Sequence, residues 1–515
     1  MTHEHKAKGH GQENSTLATV WDENPSHPLF APRHLAAPAP PPPPLPSPPP
    51  RGASPGDGQQ GWKALLALLA LGLSGLIWIG GLRDSLNRPS VVDALDLRQM
   101  ELSVLAAGAL PPSLRPFLVG EDPRGALREA LEKRLQDPSS PPPVAQRLEL
   151  VLLQRGQGAP PETAAPSSLA ELAPRVNQER RPLLLALERG ATVPPERQQA
   201  LLAPWGEGSL VAQLGCEQLA AGPSALCPTG RDGPWLALRL VGLTLVPALL
   251  LLTGAALLSR QVWLFWRGRL PEPPPLIGPP LSVADATLVI AGGFVLAGEV
   301  LLPSISQQTL GPWLAHGPLP PATRQGVEVM ASYLGLMVAP LGLLALLLPR
   351  GLLPPQGGWL QWGWRPPWAA TQPALRMVLM VLPLVALASW LLQLVWPDPG
   401  GSNPLLEMVL GSSDGWALAV LAFTAVVLAP LFEETLFRGV LLPVLARPLG
   451  GGWAVVISAL LFALAHLSLG ELVPLSVLGL GLGLLRWQTG RLASSVCLHA
   501  LWNGLTFFNL LLLAN

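Results

Sequence analysis

Long apolar blocks recur through this sequence, near residues 61–82, 235–258, 283–303, 327–348, 374–396, 416–446, 453–469, 471–487 and 493–513. A helix of about 20 apolar residues crosses the roughly 30 Å hydrocarbon layer, and inside lipid the backbone must satisfy its own polar groups, which leaves helices or a closed barrel. Blocks of this length are helical. The expected fold is therefore an all-α polytopic membrane bundle of about nine spans. Composition agrees, because 49% of the 515 residues are hydrophobic and only 13% are charged. The 33 basic and 33 acidic residues cancel, so nothing points to a nucleic-acid partner. Many of the eighteen Trp, Trp62, Trp235, Trp313 and Trp416 among them, fall at block ends, as an interfacial belt does, against a single Tyr.

Residues 1–60 cannot build a core. Leu35 to Pro50 holds ten Pro in sixteen positions, which favours an extended, disordered tail. With that much chain before it, the first block, 61–82, reads as a retained signal anchor. Residues 83–233 then carry about half of all the charges, with proline breaks between short amphipathic runs. They are expected to form a mainly helical extramembrane domain, with Asp122 capping a helix, Pro123 in its first turn, and Leu127, Leu131 and Leu135 on one face. Leu152–Glu162 and Ala186–Glu196 match in Arg-Gly and Pro-Pro-Glu at an offset of 34 residues. That is the period of stacked helical hairpins that hold protein partners, so this domain is a candidate docking module.

Basic residues set the orientation. Arg260, Arg267 and Arg269, then Arg350 and Arg365, Arg447, and Arg486 and Arg491 follow alternate spans, and all fall on one side if the N-terminus is cytoplasmic. This places a multi-pass protein in the plasma (inner) membrane with residues 83–233 extracytoplasmic. Cys216 and Cys227 would then lie in an oxidising compartment, where a disulfide between them is expected. Residues 234–369 supply further spans, and 370–515 hold the chemistry.

In that last region Glu433 and Glu434 stand side by side in apolar surroundings, where an ionised group costs several kcal/mol. Glu434 and Arg438 are four apart and can pair on one helical face. Glu433 is left without a local partner, free to accept a proton. His466 in FALAH and His499 in HALWN follow on the next apolar segments, with Asn503 one turn after His499. Short loops make those segments neighbours, and ionisable groups at this density inside a membrane mark a functional site. Carboxylate, imidazole and amide oxygen can also be ligands of a divalent metal such as zinc, with Glu433, His466 and His499 as donors. There is no HExxH motif.

In order, EETLFR, FALAH and HALWN have the forms EExxxR, FxxxH and HxxxN. Residues 370–515 thereby resemble the CPBP family of intramembrane proteases, which includes the type II CAAX prenyl endopeptidases and the bacteriocin-processing and abortive-infection proteins. The resemblance implies a helical core with a cavity opening into the bilayer and hydrolysis of a peptide bond in a membrane-associated protein or peptide. It also implies roles. Glu433 would be the general base, His466 would share its water, His499 and Asn503 would steady the oxyanion, and Glu434 with Arg438 would be the structural pair. Glu433 is then expected to face His466 across the cavity. A non-proteolytic membrane scaffold using the same core remains the alternative, as does, more remotely, a haem held by His466 and His499.

Overall fold

The computed structural model describes residues 57–514, apart from 89–90, 137–143, 157–168, 191–192, 207, 221–226, 350–352, 356 and 397–403. The proline-rich segment expected to be an extended tail lies outside the described residues. Every regular element among the described residues is helical. The main ones are α1 (Asp57–Ser85), α2 (Val91–Ala106), α3 (Pro123–Leu135), α4 (Val144–Gly156), α5 (Leu210–Leu219) and α6 (Pro228–Trp266). They are followed by α7 (Val283–Ile305), α8 (Pro321–Leu347), α9 (Trp368–Val395), α10 (Gly415–Leu464), α11 (Leu469–Thr489) and α12 (Leu492–Leu513).

Among these, eight are long and apolar enough to cross a membrane: α1 and α6 to α12. The chain is an integral, multi-pass, all-helical membrane protein. The expected number of spans was about nine, and the difference lies in α10. Its 50 residues would make a rod of about 75 Å, more than twice the hydrocarbon thickness. Gly450, at φ 79° and ψ 160°, breaks it into two arms, a conformation that glycine adopts without a side-chain penalty. The second arm packs on α11, with Val455 beside Gly483 and Ala459 beside Gly479. A β-carbon at Gly479 would come within 3.0 Å of Ala459 Cα. Only glycine lets the two backbones approach that closely. The two expected blocks, 416–446 and 453–469, are thus the arms of one bent helix.

Three of the arginines used for orientation, Arg447, Arg486 and Arg491, gather at one end of the bundle. Arg447 donates to the carbonyls of Gly278, Pro279 and Leu281, Arg486 to Ile277 O and Gln361 Oε1, and Arg491 to the carbonyls of Gly363 and Arg365. Three helix ends therefore satisfy the loop carbonyls of two connections. At the opposite end Ser85 Oγ accepts from Leu469 N at 3.1 Å.

Between α1 and α6 the chain forms a helical unit whose core includes Leu105, Leu127, Leu148, Leu152, Leu183 and Leu214. Asp122 caps α3 by accepting from Gly125 N at 2.9 Å, and Leu127 and Leu131 are buried while Leu135 packs at the edge. The 34-residue correspondence places Gly156 at the end of α4, while Gly190 follows a shorter helix, Arg181–Glu188, at φ 61°. The Pro-Pro-Glu of the first copy lies outside the described residues. Cys216, in α5, and Cys227, capping α6, are joined as a disulfide. The unit's core does not stop at the membrane helices: Leu236, Leu240 and Leu243 of α6 and Leu513 of α12 belong to it.

Candidate active site

The acid pair sits where α10 departs from ideal geometry. Thr424–Leu428 and Thr435–Leu441 are π-helical turns flanking Ala429–Glu434. In such turns an amide reaches five residues back, as Ala429 N does to Thr424 O. The next amide in that register belongs to Pro430, which has no N–H. The carbonyl of Ala425 thereby loses its partner, and Asn503 Nδ2 donates to it at 2.7 Å. One proline thus explains both the wide turn and the anchoring of Asn503.

Glu434 and Arg438 are fully buried and paired at 2.9 Å. Arg438 Nη2 donates to Gly479 O at 3.0 Å, and its guanidinium carbon lies 4.4 Å from the centre of the Phe462 ring. His499 Nδ1 lies 3.0 Å from the same Glu434 oxygen that Arg438 contacts. A carboxylate only accepts, so Nδ1 donates to it, and in the neutral ring Nε2 then presents its lone pair. Glu434 therefore holds two donors from two helices.

Glu433 turns elsewhere. Its Oε1 accepts from the Tyr333 hydroxyl of α8 at 2.7 Å, and its Oε2 lies 3.9 Å from His499 Nε2 with no hydrogen-bond partner. It makes no direct hydrogen bond or ion pair with His466. His466 lies outside a helix for a local reason: Ser468 caps α11 by accepting from Glu471 N, and the second arm of α10 ends at Leu464. His466 falls in the turn between them, next to Leu467 at φ 51°. Its Nδ1 is 2.8 Å from Phe462 O, satisfying a carbonyl of the last helical turn. The Phe462 ring stands between the histidines, 4.8 Å from His466 and 5.6 Å from His499.

Tyr333 is the residue that sequence reasoning missed. It is the single Tyr in the chain, set in an apolar span, and a buried phenol needs a partner. That was the available signal. Glu299, another acid within a span, accepts from Trp78 Nε1 at 3.4 Å. As for a metal, no three His, Cys, Asp or Glu side chains among the described residues are grouped as an ion requires. Of the candidate donors, Glu433 Oε2 and His499 Nε2 lie 3.9 Å apart, while His466 Nδ1 is committed to Phe462 O, so the three do not form such a group.

Residues 415–505 match the family model of type II CAAX prenyl endopeptidase, Rce1-like. The chain carries an Rce1-like domain. Glu433, Glu434, Arg438, His466, His499 and Asn503 all lie within it, whereas Tyr333 reaches Glu433 from outside the matched residues. Residues 92–233 match a family described as a domain of unknown function. Comparison with curated proteins and with solved structures finds no match. The Rce1-like domain thus supplies the polar network, and α8, from outside it, supplies the phenol.

Proposed function

We propose that this protein is an intramembrane endopeptidase that hydrolyses a peptide bond in a membrane-associated protein or peptide, in the plasma (inner) membrane with a cytoplasmic N-terminus. One observation carries this reading. Glu433 Oε2 is a buried acceptor without a partner, 3.9 Å from the lone pair of His499 Nε2, in a domain whose family is peptidase. A water about 2.8 Å from both atoms would subtend close to a right angle, which a water with two hydrogens to donate accommodates.

Glu433 takes a proton from that water as its oxygen adds to the carbonyl carbon, and the C=O electrons move onto oxygen. Tyr333 holds the other carboxylate oxygen, so the base keeps one orientation. Glu434, held by Arg438, takes the N–H of the neutral His499 ring, so that Nε2 accepts from the water, and the second N–H of the Asn503 amide, beside the one given to Ala425 O, is at hand for the developing oxyanion. Collapse restores the C=O, breaks the C–N bond, and returns the proton from Glu433 to the leaving nitrogen. The part of His466 rests on its motif alone, since its ring nitrogen Nδ1 is committed to Phe462 O.

The test compares membrane proteomes of a deletion strain, the same strain complemented with the wild type, and one complemented with Glu433→Gln. Glu433→Gln keeps the shape and removes the base, a loss of about 10² to 10⁴ in rate. New peptide termini present only with the wild type would identify substrates. Identical termini with Glu433→Gln would overturn the mechanism and favour the scaffold.

A further inference from the structure

A groove of about 620 Å³ runs along the outside of the bundle between α6, α9 and α12, away from the network of Glu433. Along α6 it extends from Trp235 to Leu251, roughly 24 Å at 1.5 Å per residue. That is more than the depth of one membrane leaflet, about 15 Å, so a single acyl chain can lie along it.

The lining is not uniform. Val246, Leu250 and Ala386 make the greater part apolar, while Arg239 and Asn509 stand toward one end. Arg239 donates through Nε and Nη2 to Leu512 O and through Nη2 to Ala514 O, at the terminus of α12. These carbonyls hold the guanidinium in place, yet no carboxylate pairs with it among the described residues, and Nη1 is not engaged. The Asn509 amide likewise has no hydrogen-bond partner among the described residues. A cation and an amide left over at one end of a long apolar groove match an anionic phosphodiester attached to an acyl chain.

We propose that this groove is a binding site for one anionic phospholipid, with its phosphate at Arg239 and Asn509 and an acyl chain lying along α6. The bound lipid braces α12 on the face beside the one that carries His499 and Asn503.

Native mass spectrometry of the full chain, titrated in detergent with phosphatidylglycerol or phosphatidylcholine of equal chain length, tests this. The wild type should retain one phosphatidylglycerol at least tenfold more strongly than phosphatidylcholine. Arg239→Gln should remove that preference. Gly242→Phe, which fills a position where a β-carbon meets only Leu512 Cδ1 at 3.8 Å, should reduce retention of both lipids. Equal retention of the two lipids by the wild type, or a preference unchanged in Arg239→Gln, would mean annular lipid only and overturn the proposal. A co-purified peptide held in place of lipid would overturn it as well. If Gly242→Phe fails to accumulate, Arg239→Gln decides alone.

Discussion

Glu433 and Glu434 are neighbours in sequence and opposites in environment. Glu434 is neutralised by Arg438 and tied to His499, and Glu433 has one oxygen on a phenol and the other unpaired. Tyr333→Phe should lower kcat about ten- to a hundredfold with KM unchanged, since a hydrogen bond to a charged group is worth roughly 1.5–3 kcal/mol. In a Glu433→Asp background, where the carboxylate is retracted, the same change should cost much less. Equal losses in both backgrounds would remove Tyr333 from the base. Arg438→Ala should cost roughly 3–5 kcal/mol by stranding a buried carboxylate, visible as lost folded protein in thermal unfolding. Glu434→Gln with Arg438→Met should recover most of that yield, because it removes both charges. The spacing of EETLFR was enough to separate the paired acid from the unpaired one. It could not reveal Tyr333, a hundred residues away, because nothing in a local pattern says which distant side chain will arrive.

Helix ends and spans were legible where a local signal exists, as at Asp122 and in the apolar blocks, and the π turns were not, because hydrophobic periodicity does not register one extra residue per turn. Pro430 was the readable hint. The misplacement of His466 has the same origin: its apolar run continues past the point where Ser468 starts a new helix. In the helical unit between α1 and α6, α2 and α4 bury Glu101 and Glu149 together, with Arg98 bonded to Glu101 at 2.8 Å. Burial, and then the nearby Glu101 charge, push the Glu149 carboxyl well above its usual range, and burial raises Glu101 too, against the pull of Arg98. A raised folded-state value means the folded form holds more protons than the unfolded one above the ordinary value of 4.5. Stability is then greatest in acid and is lost as pH rises through the raised range. Corrected amide exchange in α4 of the full-length protein should be slower at pH 5 than at pH 8. Glu149→Gln should erase that difference, and a difference that survives the substitution would clear this pair. At the crossing of α10 and α11, Gly479→Val should separate the helices and pull Gly479 O from Arg438, lowering both thermal stability and activity by more than a surface change.

At the scale of the molecule, Arg447, Arg486 and Arg491 lie at one end with the loops they hold, and the unit after α1 lies beyond the other. Maleimide labelling of single cysteines in intact cells should therefore reach positions in 86–231 and miss positions in 357–365 until the membrane is permeabilised. The reverse pattern would invert the topology and remove the oxidising setting for the Cys216–Cys227 bond. The unit between α1 and α6 shares its hydrophobic core with α6 and with Leu513 at the end of α12, the helix that carries His499 and Asn503. Among the described residues the two are continuous through that core. A ligand that clamps this unit, or a force that tugs on it, loads the lever on which the His499 imidazole rides, so excision of the unit would be expected to misalign the site rather than liberate it.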